Sequence, residues 1–280
     1  MKRKRLVFGL LFSSAIGLVA ERRAALTRSG AVGAMLTGTT IFGFGGLSWG
    51  LTLIYFFLSS TFLSHFRERE KSAVAADKFS KGARRDLSQA LANAGVASAA
   101  ALAYGLRQRS PGPAPASWLA VFVGALATAN SDTWATEVGT LSKEPPRLIT
   151  TGQPVAPGTS GGVTLLGTGA ALAGAASVGL VAEALGAGKG AALRGRLTLL
   201  GLLGGMAGTL TDSLLGATVQ VMYWCPRCQQ ETERRAHSCG QATIYLRGVR
   251  WLDNDAVNGV STAAGAAVAV LVARAITRRA

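Results

Sequence analysis

Charged residues are scarce in this chain of 280 residues, where Asp, Glu, Lys and Arg make up 15% of the sequence. A soluble domain usually carries about 25%. Hydrophobic residues make up 49%, Gly occurs 36 times and the mean hydropathy is +0.32. Because Gly is frequent in packed membrane helices, this composition predicts one all-α, polytopic integral membrane domain over residues 1–280.

Cysteine and acidic residues are also few. All 3 Cys lie between Cys225 and Cys239, which excludes a disulfide framework for the whole chain. Lys and Arg number 29 against 14 Asp and Glu, so the net charge is +15. The basic residues lie between apolar runs, where membrane topology and phosphate or headgroup contacts explain them better than nucleic acid does. We therefore expect a lipid bilayer as a partner and no nucleic acid.

Apolar runs of about 20 residues are long enough to cross a bilayer, and they predict about seven spans. The run at 6–20 follows a basic start and is expected to be interfacial or re-entrant. The run at 29–63 is broken at 43–46 and predicts two tightly turned spans. Further spans are predicted at these positions: 87–106, 118–139, 158–183, 197–223 and 256–276.

Polar loops between the predicted spans alternate between two faces. The loops at 65–86, 140–158 and 224–255 emerge on one face and carry 14 Lys and Arg, whereas the opposite loops at 107–116 and 186–196 carry 5. The positive-inside rule therefore places the first three loops in the cytoplasm.

A polar motif at 130–139 closes one of these spans. Carboxylates at such a position are costly unless they are paired, hydrated or bound to a cation. In a helix, Asp132 and Thr136 share one face, and Thr133 and Glu137 share another. The motif predicts an acidic cluster that holds a metal ion or accepts a proton. The alternative is a helix end that merely reaches water.

A basic segment precedes the span at 87–106. It contains Lys81, Arg84 and Arg85, and Asn93 lies on a polar stripe that continues into the span. Basic residues before a span often anchor topology or contact lipid headgroups. Gly82 and the polar stripe favour a phosphate site instead.

A glycine-rich run, Gly158, Thr159, Ser160 and Gly161, opens the next predicted span. Glycine lets the backbone approach an anion, and the N–H groups at a helix start donate to it. No Lys follows, so the run is not a Walker loop, and Gly is also common where membrane helices begin.

Acidic residues in the last two spans add to this set. Asp212 lies near the middle of its predicted span, where an unpaired carboxylate is costly. Asp253 and Asp255 offer the hard oxygen ligands that Mg²⁺ prefers, although Asp also caps helix starts. We expect Asp132, Asp212 and Asp253 to share one divalent-cation pocket near Arg84.

The loop at 224–255 carries Cys225, Cys228, His237 and Cys239. This spacing is typical of a structural zinc knuckle, which would brace the loop that delivers Asp253. The alternative is three reduced cytosolic thiols.

Five segments in order, at 81–86, 130–139, 157–163, 212–217 and 253–258, resemble the motifs of an integral membrane family. It contains plant phytyl-phosphate kinases and the animal transmembrane protein nineteen, and the resemblance covers about residues 30 to 275. It implies a kinase that uses a nucleoside triphosphate and Mg²⁺ to convert an isoprenoid monophosphate, such as phytyl phosphate, into its diphosphate.

The resemblance implies roles for individual residues, since phosphoryl transfer needs positioning and charge neutralisation more than covalent chemistry. The catalytic candidates are Asp132, Glu137 and Asp212. The Mg²⁺ ligands are Asp132, Asp212, Asp253 and Asp255, with Glu137 and Asp255 also candidates for supporting positions. The phosphate and nucleotide contacts are Lys81, Arg84, Arg85, Asn93, Gly158, Thr159, Ser160 and Gly161. The isoprenoid tail is expected between Gly/Ala-rich spans.

Two other classes compete with a kinase. Gly-rich broken spans with embedded carboxylates also suit a cation- or proton-coupled transporter, but here the acidic residues gather towards one face and no internal repeat is visible. A structural or lipid-binding protein leaves Asp212 unexplained. The short basic start is unlike a long organelle transit peptide, which favours a bacterial-type plasma membrane.

Overall fold

The computed structural model describes residues 2–74, 84–107, 116–187 and 193–278. Within these ranges the chain is mostly helical. The α-helices are α1 Lys2–Arg22, α2 Arg28–Thr40, α3 Leu47–His65, α4 Glu68–Val74, α5 Leu87–Arg107, α6 Ala116–Gly139, α7 Leu165–Ala184, α8 Leu197–Thr218 and α9 Asn254–Thr277. A π-helical turn, Ile41–Gly45, continues α2.

Short strands form two small sheets in the loops between helices. β1 Arg147–Leu148 pairs antiparallel with β2 Gly162–Val163, between α6 and α7. β3 Met222–Cys225 lies between β4 Gln230–Thr232 and β5 Ile244–Arg247 in an antiparallel sheet that joins α8 to α9. The all-α prediction therefore describes the bundle but is corrected for these loops, where short segments pair as strands.

Four helices of the described residues, α3, α7, α8 and α9, are long and apolar enough to cross a membrane by length and composition. The helical membrane protein expected from the sequence is thus confirmed in this coarser form. The count of about seven spans, and the face on which each loop emerges, stay predictions.

The break expected at 43–46 is the π-helical turn followed by Gly46, whose φ is +92°. Helix boundaries differ from the apolar runs at two places, the start of α7 and the end of α8. α7 starts at Leu165 rather than at 158, because Thr164 caps the helix by accepting a hydrogen bond from the Gly167 amide at 2.9 Å. α8 ends at Thr218 rather than at 223, because the chain turns there into β3.

Glycines allow α6, α8 and α9 to pack closely. A Cβ atom added to Gly124 on α6 or to Gly204 on α8 would lie 2.8 Å from the carbonyl oxygen of Gly265 on α9. Side chains larger than hydrogen do not fit at these crossings, as in other packed membrane helices. The crossings therefore fix the three helices that carry the acidic motifs relative to one another.

Buried polar side chains set the rotation of α6. Asn130 is fully buried; its Oδ1 accepts from Ser59 Oγ on α3 at 2.9 Å, and its Nδ2 donates to the carbonyl of Gly174 on α7 at 2.9 Å. Ser131 Oγ donates to the carbonyl of Ala171 at 2.9 Å. Since buried polar groups need such partners, these bonds fix which face of α6 the next residue, Asp132, occupies.

Candidate functional site

A cavity of about 130 Å³ lies where α6, α7 and α8 meet the loop between β1 and α7. Among the polar residues that line it are Asp132, Thr136, Ser160, Thr209, Asp212 and Asn254. They come from four segments of the chain that are far apart in sequence. The structure thus brings Asp132 and Asp212, two of the three carboxylates expected to share a pocket, to one cavity.

One face of α6 forms a wall of this cavity. Asp132, Ala135, Thr136, Gly139 and Thr140 all line it, and their spacing of three and four residues is that of a helix face. The shared face expected for Asp132 and Thr136 is therefore the one that looks into the cavity.

Asp212 lies six residues before the end of α8 at Thr218, which is roughly 9 Å along the helix axis. Because the helix ends earlier than its apolar run, Asp212 lies nearer to the helix end than expected, and its depth in a bilayer stays a prediction. One turn before it, Thr209 also lines the cavity. Thr209 Oγ1 is buried and has no hydrogen-bond partner among the described residues, so a polar ligand in the cavity would satisfy it.

The glycine-rich loop at 158–161 packs against the end of α8. Gly158 and Gly161 have φ values of +85° and +80°. A Cβ atom at Gly161 would lie 2.5 Å from the Cβ of Ala217 and 2.7 Å from the carbonyl oxygen of Ser213. Ser160 Oγ donates to Gln220 Oε1 at 3.2 Å. The loop is not the helix start that the sequence suggested, so a helix dipole does not act there.

Backbone amides of this loop fall into two groups. The amides of Thr159 and Gly162 donate within the turns of the loop, each to the carbonyl three residues earlier. The amides of Gly158, Ser160 and Gly161 make no hydrogen bond to any part of the chain that the structure describes. These three residues line the cavity, and backbone N–H groups of this kind form anion sites in other proteins.

The start of α9 contributes an amide rather than its first carboxylate. Asp253 is exposed and caps α9, accepting from the Ala256 amide at 3.0 Å. It does not line the cavity, whereas Asn254 does. Asp255 Oδ2 accepts from Ser88 Oγ at 2.6 Å. The capping alternative is thus observed for Asp253, and the pocket expected to hold it contains its neighbour instead.

Glu137 lies on the other side of α6, in a buried ion pair. Lys71 of α4 is fully buried and binds Glu137 Oε2. Lys71 Nζ also donates to the carbonyls of Leu63 at 2.7 Å and Ser64 at 2.9 Å, and Ser64 Oγ donates to Glu137 Oε1 at 2.8 Å. Glu137 therefore fixes α4 and α3 onto α6 and does not line the cavity, which favours a supporting role over a catalytic one.

Arg84, Arg85 and Asn93 lie outside the lining of this cavity. Arg84 donates to the carbonyl of Leu26 at 3.3 Å. Arg85 and Asn93 line a separate apolar groove of about 80 Å³ between α1, α2, α3 and α5, where the Arg85 guanidinium lies 5.9 Å from the Phe56 ring centroid. Burial lowers the pKa of Arg85, and the Glu137 carboxylate opposes this. Lys81 lies outside the described residues.

The Cys225, Cys228, His237 and Cys239 set is gathered as the spacing predicts. One ligand atom from each residue lies within 4.8 Å of the others. A hydrogen bond from the Gln241 backbone, helped by His237, lowers the pKa of Cys239 to about 6, while hydrogen bonding with Cys239 raises the pKa of Cys228 to about 11.

The donor set of the cavity suits a hard cation. Its lining includes four carboxylates, on Asp132, Glu144, Asp212 and Glu233, together with hydroxyl and amide oxygens, and Mg²⁺ prefers such ligands. Among the described residues, the Cys/His set is the one group of three or more gathered at metal-ligand distance. A Mg²⁺ ion in the cavity would therefore need ligands from a bound molecule as well, which is how Mg²⁺ usually binds nucleotides.

The sequence did not predict the contacts that Lys71 and Ser88 make with acidic residues. Lys71 lies in a stretch of alternating charges that is typical of solvated loops, and Ser88 is an ordinary residue in the first turn of a helix. No pattern in the sequence distinguishes either residue, because their partners, Glu137 and Asp255, are distant along the chain.

Comparison with known proteins identifies the chain's relatives. The family described as "Integral membrane protein DUF92" matches residues 11–266. Protein PGR of Arabidopsis thaliana is 35% identical over 271 residues, which cover 92% of each chain. An uncharacterized membrane protein of Methanocaldococcus jannaschii is 30% identical over 216 residues, covering 76% of this chain and 82% of that one.

A further uncharacterized membrane protein, from Synechocystis, is 32% identical over 222 residues, covering 79% of this chain and 71% of that one. No solved structure matches the chain.

Proposed function

Because the chain belongs to the integral membrane protein family DUF92, we propose that it is a membrane-embedded isoprenoid monophosphate kinase. It would transfer a phosphoryl group from a nucleoside triphosphate to a lipid phosphate of the phytyl type, at a plasma membrane. One observation carries the proposal: Asp132 and Asp212 line one cavity together with a glycine-rich loop in which three amides make no hydrogen bond to the described residues. The family expected from the motifs is confirmed, and the activity is our inference.

The cavity has the features that the donor nucleotide requires. Its described lining is acidic, with Asp132 and Asp212 on facing helices, so it attracts a cation-bound nucleotide more strongly than a bare anion. The amides of Gly158, Ser160 and Gly161 would donate to phosphate oxygens, as in other backbone anion sites. Bound Mg²⁺ would supply charge neutralisation between the phosphates.

The apolar groove has the features that the acceptor requires. Its lining is hydrophobic except for a few polar residues, among them Arg85 and Asn93. An isoprenoid tail would lie along the apolar wall, and the phosphate would pair with the guanidinium of Arg85. The backbone of Arg85 is held by hydrogen bonds to Ala25 and Thr27, each of 3.0 Å, and its guanidinium lies over the Phe56 ring in the groove.

Hydrogen bonds link the start of α5, beside the groove, to the start of α9, beside the cavity. Ser88 contacts Asp86, which directly follows Arg85, and Asp255, which directly follows the cavity residue Asn254. A lipid phosphate held at the groove would therefore lie on the same side of the bundle as the donor site.

The chemistry requires positioning more than acid or base catalysis. An oxygen of the acceptor monophosphate forms a bond to the terminal phosphorus of the donor, and the bond from that phosphorus to the bridging oxygen breaks, releasing a nucleoside diphosphate. The attacking oxygen is already anionic at neutral pH, so no side chain has to remove a proton. The chain's residues bind and align the two anions.

Purified protein reconstituted in lipid nanodiscs tests the proposal. It would be incubated with phytyl or farnesyl monophosphate, Mg²⁺ and each of the common nucleoside triphosphates in turn. We expect the isoprenoid diphosphate and the nucleoside diphosphate in equal amounts, detected by mass spectrometry. Folded protein that forms no diphosphate with any donor and acceptor pair contradicts the proposal.

The same purified protein, reconstituted in sealed lipid vesicles, tests the transporter alternative. A coupled carrier would move protons or cations across the vesicle membrane without consuming nucleotide. Asp212 lies towards the end of α8, whereas carriers typically bind their ions near the middle of the membrane. We therefore expect no ion flux above that of protein-free vesicles.

A further inference from the structure

The segment between α8 and α9 folds as a compact unit around four side chains. Its sheet has β3 in the centre, with β4 and β5 on either side. Cys225 ends β3, Cys228 lies in the β3–β4 turn, and His237 and Cys239 follow β4. The segment thus supplies the four side chains from two chain turns that meet, which is the usual arrangement of a zinc knuckle.

The distances match those of a tetrahedral metal site. Cys225 Sγ and Cys239 Sγ lie 3.8 Å apart. A tetrahedral zinc site with Zn–S bonds of about 2.3 Å has sulfur atoms about 3.8 Å apart, whereas a disulfide needs about 2.05 Å. All four ligand atoms lie within 4.8 Å of one another, so one ion can reach them together.

The surroundings of the ligands are arranged as they are around bound metals. The Cys228 amide points to Cys225 Sγ at 3.5 Å, and the Cys239 amide points to His237 Nδ1 at 3.3 Å. His237 Nε2 lies 2.8 Å from the side-chain amide of Gln230. The Gln230 atom at this distance is its amide nitrogen, Nε2, so the contact orients the imidazole ring beside the three sulfur atoms, as hydrogen-bonded groups around a ligating His do.

Backbone hydrogen bonds of this unit also tie together the two helix ends beside the cavity. The Val221 amide donates to the carbonyl of Leu252 at 2.9 Å, and the Val249 amide donates to the carbonyl of Val219 at 2.8 Å. These bonds hold the end of α8 beside the start of α9. Glu233, which follows β4 directly, lines the cavity.

We propose that Cys225, Cys228, His237 and Cys239 bind one structural Zn²⁺ ion, which holds the end of α8 and the start of α9 at the cavity. Three thiolates and one imidazole select zinc over Mg²⁺ or Ca²⁺. Four protein ligands leave no open position, so the ion stabilises the loop and does not react with substrate. The proposal does not depend on the reaction assigned to the cavity.

Metal analysis of the full-length protein tests this directly. The protein would be purified in detergent without chelators, and its metal content measured by plasma mass spectrometry. We expect about one zinc per chain in the wild type. Protein that is folded yet carries no zinc, or that carries another metal in its place, overturns the proposal.

Matched variants locate the ion. Cys228 is exposed, so Cys228→Ser is expected to lose the zinc while the helical bundle still folds. The chain has 2 His, and His65 lies outside the cluster at the end of α3, so His237→Asn and His65→Asn form a pair. We expect the first to lose zinc and the second to keep it; zinc retained in both His237→Asn and Cys228→Ser places the ion elsewhere and overturns the assignment.

Thiol reactivity gives a measurement on the wild type that needs no variant. All 3 Cys of the chain belong to the cluster, so bound zinc should protect every thiol from a disulfide reagent. We expect little reaction before a strong chelator is added, and three thiols per chain with release of zinc afterwards. Full reaction of folded protein before chelation overturns the proposal.

Discussion

Ser88 Oγ lies 2.6 Å from Asp255 Oδ2 and 2.8 Å from Asp86 Oδ1, so one hydroxyl joins two carboxylates that lie on helices far apart in sequence. A serine hydroxyl has one proton and can donate to one of them at a time. The Asp86 carboxylate also caps α5 through the Gln89 amide at 3.0 Å. Ser88 thus couples the start of α5, beside Arg85, to the start of α9, beside the cavity.

Replacing Ser88 with alanine should separate the two helix starts. The Ser88→Ala variant removes the hydroxyl that lies between the carboxylates of Asp86 and Asp255, and we expect turnover to fall about fivefold, equivalent to roughly 1 kcal/mol for one lost hydrogen bond. Ser98→Ala is the control, because Ser98 on the same helix bonds only within α5, to the carbonyl of Ala94. Equal turnover of the two variants in the diphosphate assay would contradict the coupling.

The two cavity carboxylates should be indispensable for phosphoryl transfer. Asp132→Asn and Asp212→Asn remove charge from facing walls of the cavity, and we expect each to lower turnover on the order of 100- to 1,000-fold, as for other groups that stabilise a transition state. Glu70→Gln serves as the control, since Glu70 is exposed and forms an ion pair with Arg67. Full activity of either Asp variant would remove that residue from the mechanism.

The sequence predicted the helices well because their signal is local. The apolar runs at 87–106 and 256–276 agree with α5 and α9 to within two residues, since a bilayer-length run of apolar residues has few other structures available. The sequence predicted the start of α7 and the end of α8 wrongly, because a short strand lies beside each of these helix ends. There, hydrogen bonds such as Ile149 to Gly161 decide the boundary, and their partners are not neighbours in sequence.

The candidate site was predicted in its residue types and only partly in its arrangement. Asp132 and Asp212 lie at one cavity because α6 and α8 cross at glycines. The sequence indicated both residues as functional candidates, because a carboxylate within an apolar segment is energetically costly. Asp253 and Glu137 were assigned to the same pocket, but a capping bond and the buried Lys71 hold them elsewhere. Sequence spacing shows which residues share a helix face, but not which helices that face meets.

The glycine-rich loop gives a prediction with a matched pair of glycines. Gly161 and Gly152 both have positive φ, at +80° and +69°, so alanine strains the backbone at either position. Only at Gly161 would the new Cβ also meet a neighbour, the Cβ of Ala217 at 2.5 Å, whereas Gly152 has nothing within 4 Å.

We therefore expect Gly161→Ala to push the loop away from α8, raising the KM for the nucleotide on the order of 100-fold, as for other misplaced binding groups. Gly152→Ala should leave this KM unchanged and affect stability alone. Donor titrations at saturating lipid phosphate measure the difference. Equal KM values for the two variants would mean that the loop does not contact the nucleotide.

The buried ion pair between Lys71 and Glu137 should matter for stability more than for chemistry. Removing one member of a buried ion pair costs about 3–5 kcal/mol, so Lys71→Met and Glu137→Gln should each lower the unfolding midpoint by roughly 10 °C. The double variant should recover part of this loss, because neither member of this ion pair is left buried without the other.

Thermal unfolding in detergent, followed by circular dichroism, measures all three variants. Arg67→Met is the control, because its partner Glu70 is exposed and surface ion pairs contribute little; its midpoint should equal that of the wild type. The KM for nucleotide should stay at the wild-type value in the double variant, since neither residue lines the cavity. A double variant that is folded and stable but inactive would instead return Glu137 to the catalytic group.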